Sequence, residues 1–250
     1  QLCVQSGADH ALGIFALAAV LHGMVGIGFP LITTAALALV MPLPQAVALT
    51  LLPTLLLNLG SLLPPHSLPA VIRRYAPLAL ASVAGSLLGV YLLLILPAAW
   101  LQLALALATG FYVLSSLRRD LPALPQGLPA TLLLGLLAGV VGGATNAMSS
   151  ILMMVLLAQS RDRHEIAQAA NLCFALSKLV QLLVLWPVLQ QLPLGWDMIG
   201  LLCLAAVIGL LAGLALRQRM AFGHFRLLCL LVLSVLALLM GWRGLQGLLG

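Results

Sequence analysis

The chain has 250 residues, 63% of them hydrophobic and only 6% charged, with mean hydropathy +1.20, a net charge of +6 and a pI near 9.8. A soluble domain carries about 25% charged residues, so this composition excludes one and describes a polytopic helical membrane protein. The arginines stand in short loops, where membrane topology puts them, and nucleic acid is not expected as a partner.

Residues 1–10 read as an N-terminal tail. Apolar segments then fall at 11–28, 29–41, 45–63, 76–96 and 98–117, forming a first repeat over 11–119. A linker at 120–129 leads to a second set at 130–143, 144–158, 166–192, 196–216 and 224–241, a second repeat over 130–250. Three blocks keep their order between the halves. LHGMVGIGFP (21–30) lies over LAGVVGGATN (137–146), QAVALTLLPTLLLN (45–58) over QAANLCFALSKLVQ (168–181), and SVAGSLLGV (82–90) over AVIGLLAGL (206–214). Thr54 thereby falls on Ser177 and Asn58 on Gln181.

The stretch HGMVGIGFP, His22 to Pro30, places three glycines and a proline inside an apolar run. Residues 29–41 would make a helix of roughly 20 Å at 1.5 Å per residue, too short for a hydrocarbon core of about 30 Å. Each half therefore begins with a broken helical hairpin, its tip at Gly26–Pro30 or Gly142–Asn146, followed by three full spans. If both broken regions enter and return on one side, Arg73, Arg74, Arg118, Arg119, Arg161, Arg163, Arg217, Arg219 and Arg226 share one face and Arg243 alone lies opposite. The positive-inside rule selects this arrangement. The expected fold is an all-α polytopic membrane protein of two inverted repeats, with both termini outside the cytoplasm.

A helix starting at such a tip presents unpaired N–H groups and a positive dipole end, which suits an anion. Gly26, Gly28, Gly142 and Gly143 would let it approach the backbone, and Thr33, Thr34, Thr145 and Asn146 add side-chain donors. The other reading of the glycines is close helix packing. Lys178, the only lysine, lies at the centre of segment 166–192, where a charge is functional by default. Asn171, Lys178 and Gln181 share a helical face, and Thr50, Thr54 and Asn58 form a second polar stripe; ordinary interhelical hydrogen bonds are the alternative for both. His22 flanks the first tip and is the candidate for proton coupling, since all five acidic residues read as loop residues.

The block GMVGIGFPLITTAALALVMPLPQAVALTLLPTLLLN (23–58) and its weaker copy GVVGGATNAMSSILMMVLL (139–157) resemble the sulfite exporter TauE/SafE family of bacterial membrane permeases. The resemblance implies transport of sulfite, organosulfonates or related sulfur compounds, often outward, across the cytoplasmic membrane. The second half departs from the pattern at its tip, with Thr145 and Asn146 where the first has Phe29 and Pro30, and sets Lys178 against Leu55.

The histidines are scattered and no CxxC occurs, so no enzyme activity, cofactor or metal site is expected. The partners are a small anion and the lipid bilayer, with a homo-oligomer allowed. An importer or facilitator of another small anion or sulfur compound, or a non-transporting membrane assembly factor, stays open.

Overall fold

The computed structural model describes residues 2–25, 28–62, 68–117, 127–192, 195–217 and 222–249. These form ten helices and no strand: α1 (Leu2–Val25), α2 (Phe29–Leu37), α3 (Leu43–Ser61), α4 (Leu68–Ile95), α5 (Ala98–Leu117), α6 (Leu128–Thr145), α7 (Ser149–Gln159), α8 (Arg163–Gln190), α9 (Trp196–Arg217) and α10 (Phe222–Leu249). Seven of them, α3 to α6 and α8 to α10, are long and apolar enough to cross a membrane. The nine residues of α2 and the eleven of α7 give only about 13 and 16 Å at 1.5 Å per residue, half a bilayer.

Both breaks exist, and they are built differently. At the first, Gly28 takes a left-handed conformation (φ 115) and Pro30 sits in the first turn of α2, where its missing N–H is no loss. Gly26 lies outside the described residues. At the second, the break falls on the last residue of the expected tip Gly142–Asn146: α6 runs through Gly142 and Gly143 to Thr145, and the turn begins at Asn146 (φ 61). Two boundaries move. Residues 2–10 belong to α1 rather than to a tail, and α4 starts at Leu68 rather than near residue 76.

The glycines explain why α6 continues as far as Thr145. A Cβ on Gly139 would fall on the Ser82 carbonyl, one on Gly143 on the Ser86 carbonyl and one on Gly85 on that of Leu136. The backbones of α4 and α6 thus touch, side by side and in the same direction. Van der Waals contact through small residues drives helix association where lipid removes the hydrophobic term. The pair α1 and α9 repeats this arrangement, with Gly209 on Ala16, Gly213 on Val20 and Gly23 on Leu210. Helices α5 and α10 run antiparallel, Gly241 beside Ala106, Gly244 beside Leu103 and Gly247 beside Ala99. Their outer faces, such as Leu107 and Leu238, are exposed and apolar, as a lipid-facing surface requires.

The outer end of each half-helix is held by an arginine. Arg74 donates to the Gln159 carbonyl at the end of α7 (3.0 Å) and pairs with Glu165 (2.6 Å). Gln159 in turn donates to Thr131 at the start of α6 (3.1 Å), so α7 folds back along α6. Arg243 of α10 donates to the Leu39 carbonyl just past α2. A cation at a helix C-terminus complements its dipole, and these contacts fix how far each half-helix reaches inward.

Candidate functional site

Lys178 lies midway along α8 and is buried. Its ammonium donates to Asn146 Oδ1 and to Gln181 Oε1 (2.5 Å). Gln181 Nε2 is shared among the Gly142 carbonyl (3.1 Å), the Gly143 carbonyl (3.1 Å) and Asn146 Oδ1 (3.2 Å). These carbonyls belong to the last turn of α6, the negative end of its dipole. Asn146 Nδ2 donates to Thr34 Oγ1 and Thr50 Oγ1, each at 2.8 Å. One polar chain therefore ties the C-terminal end of α6 to α8, α2 and α3.

The electrostatics are unbalanced. Among the described residues the one ion pair is Arg74–Glu165, so Lys178 has only neutral amide oxygens as partners. An ammonium deep in a membrane protein is costly and is held where it has a task.

Lys178 opens onto a cavity of about 640 Å³. His22, Gly28, Thr54, Asn58 and Gly142 line it, as do Asn146, Asn171, Lys178 and Gln181; these come from both broken regions and both polar stripes. Three expected residues lie elsewhere. The Thr33 hydroxyl donates to the Phe29 carbonyl (2.6 Å) and that of Thr145 to the Val141 carbonyl (2.7 Å), each back-bonding within its own helix. Gly143 is pressed against α4, so close packing accounts for it.

The first tip also offers fewer backbone donors than anticipated. The Phe29 N–H is directed at His22 Nδ1 (3.4 Å), Pro30 has no N–H, and that of Ile32 bonds the Gly28 carbonyl (2.8 Å). His22 stacks edge-on to the Phe29 ring at 6.4 Å between centroids, fixing the imidazole beside the cavity. Asn171 donates to the Ala167 carbonyl (2.8 Å), leaving its side-chain oxygen uncommitted by that bond.

Four buried polar atoms in residues lining the cavity, Thr54 Oγ1, Asn58 Nδ2, Ser149 Oγ and Ser177 Oγ, have no hydrogen-bond partner within the protein. All four can donate, and leaving such a group unmade costs about 1–3 kcal/mol. Ser177 was recoverable from its alignment with Thr54 between the halves, Thr50 from its place in the first polar stripe and Thr34 from its place after the first tip. Ser149 carried no signal beyond following the second break. The Lys178 ammonium gives the cavity a cation suited to an oxyanion, and the four unpartnered donors lie buried within its walls.

Away from Lys178 the wall turns apolar, through Met148, Met153, Phe174 and Ile166, and reaches exposed His164 and Ala167 near the start of α8. That mouth lies at the end of the molecule carrying the Arg74–Glu165 pair. Among the described residues no group of three or more His, Cys, Asp or Glu side chains could hold a metal ion.

The family model for the sulfite exporter TauE/SafE matches residues 11–240. No curated protein and no solved structure matches the chain.

Proposed function

The chain belongs to the sulfite exporter TauE/SafE family, a family of membrane transporters of sulfur anions, and we propose that it exports sulfite or an organosulfonate through the cavity at Lys178. The observation that carries this reading is a buried ammonium with only amide oxygens as partners, in the lining of a cavity that reaches an exposed mouth. Lys178 supplies charge, and Gln181 adds an amide donor to the anion's oxygens. Asn171 and Gly28 line the approach. Water occupies about 30 Å³ per molecule in the liquid, so a cavity of about 640 Å³ holds sulfite with its hydration or a sulfonate with an organic part against Met153 and Phe174.

The mouth and the membrane potential support the outward direction. It opens at the end bearing Arg74, which the positive-inside rule assigns to the cytoplasm of a bacterial inner membrane, with both termini outside. An inside-negative potential then favours outward passage of an anion by about 2.3 kcal/mol per charge per 100 mV. The two halves act as inverted repeats. In support, α4 packs on α6 as α9 packs on α1, and an arginine holds the end of each half-helix. His22, beside the first break, is the candidate for any proton coupling.

The test is efflux of radiolabelled sulfite from liposomes holding the purified protein under an imposed potassium-diffusion potential. Efflux that rises with inside-negative potential is expected. Folded protein that passes neither sulfite nor any of a panel of organosulfonates overturns the assignment.

A further inference from the structure

We propose that Asn146 is a built-in competitor of the substrate anion and thereby sets a threshold of affinity that a neutral ligand fails and an anion passes; the proposal rests on the transport reading above. The Asn146 side-chain carbonyl accepts from Lys178 Nζ and from Gln181 Nε2 (3.2 Å), which are donors an oxyanion would use. Among the described residues Asn146 is the only non-glycine with positive φ. That backbone position suits glycine best and tolerates asparagine. What asparagine adds over glycine is its amide.

The consequence is a threshold. A neutral ligand that displaces Asn146 Oδ1 from Lys178 exchanges one ion–dipole bond for another and gains little. An anion replaces the dipole with a full opposite charge, and charge-assisted bonds between ions are the stronger kind. The amide therefore discounts every ligand equally, and the ligand's own charge must overcome the discount.

The displacement is also felt at a distance. The amide that accepts from Lys178 donates through Nδ2 to Thr34 of α2 and Thr50 of α3. Hydrogen bonds in such a chain polarise one another. Losing Lys178 weakens the hold of Asn146 on both hydroxyls, so anion arrival loosens the second break from α2 and α3.

Full-length protein in nanodiscs is titrated calorimetrically with methanesulfonate and with its uncharged analogue methanesulfonamide, and Tm is measured without ligand. Asn146→Gly keeps the backbone angle and removes the competitor. It is expected to bind methanesulfonate and methanesulfonamide each about tenfold more tightly than the parent, the worth of one exchanged hydrogen bond. Asn146→Asp puts a permanent carboxylate on Lys178. Methanesulfonate affinity should fall by about tenfold or more, and Tm should rise, the rise vanishing when Lys178→Gln is added.

Weaker binding of both ligands by Asn146→Gly makes Asn146 a direct ligand and overturns the proposal, as does unchanged methanesulfonate binding by Asn146→Asp. If the parent binds neither probe nor sulfite, yet the aspartate raises Tm only when Lys178 is present, the Asn146–Lys178 pairing is supported and the sulfur-anion reading fails.

Discussion

Replacing Lys178 with glutamine should separate transport from stability, because the two respond to the ammonium with opposite sign. Unit charges 4 Å apart interact by about 4 kcal/mol at an effective dielectric of 20, and a hydrogen bond to a charged group nets about 1.5–3 kcal/mol. Taking about 3 kcal/mol for the lost contact to the anion gives roughly a hundredfold weaker binding, since 1.4 kcal/mol is tenfold. Folding loses much less. The ammonium has only the amide oxygens of Asn146 and Gln181 as partners, and a glutamine amide can donate to one of them. Removing an uncompensated buried charge also relieves its desolvation penalty. Lys178→Gln should therefore reach the parent's folded yield and Tm, or exceed them, while potential-driven sulfite efflux falls by about two orders of magnitude. Flux within twofold of the parent, or a flux loss matched by an equal loss of folded protein, would refute the assignment of the charge to the substrate.

Thr54→Val keeps the side-chain shape and deletes a buried hydroxyl with no partner. Relief of an unmade bond worth about 1–3 kcal/mol should raise Tm while anion affinity drops, and a fall in both would show that the hydroxyl serves structure. Gly139→Ala drives a methyl into the Ser82 carbonyl and to 2.7 Å from the Ser86 nitrogen, backbone atoms that cannot give way, whereas a methyl on Gly200 would meet nothing within 4 Å. Gly139→Ala should cost folded protein by at least the roughly 1–3 kcal/mol of overpacking, with Gly200→Ala silent, both read as monodisperse yield by size exclusion.

The spans were legible because crossing a membrane demands long uninterrupted apolar runs. Helix α5 occupies the expected residues 98–117, and α3, α8 and α9 lie within a few residues of expectation. Lys178 stood out for the same reason: a lone charge at the centre of such a run is conspicuous without any knowledge of its neighbours. The first break was also readable, since glycine and proline together at 28–30 leave little room for a continuous helix. The second falls on the last residue of its expected stretch, Gly142–Asn146. Gly142 and Gly143 have the composition of a break, but α6 passes through both, and a glycine in a sequence does not say whether it bends its own helix or admits another.

That choice was made by packing. The approach of α4 uses Gly139 and Gly143 as contact surface, and the turn falls to Asn146. The partners of Asn146 were hidden as well, because Thr34 and Thr50 are 112 and 96 residues away. The sequence alone therefore determined the membrane class, the order of the apolar spans, the existence of two breaks and one buried charge, all consequences of the bilayer acting on local composition. Which residue carries the second break, which donors remain unpartnered and which amide meets the ammonium were decided only by tertiary structure. Those properties depend on the close approach of distant backbones and on directional hydrogen bonds, and neither leaves a periodic trace along the chain.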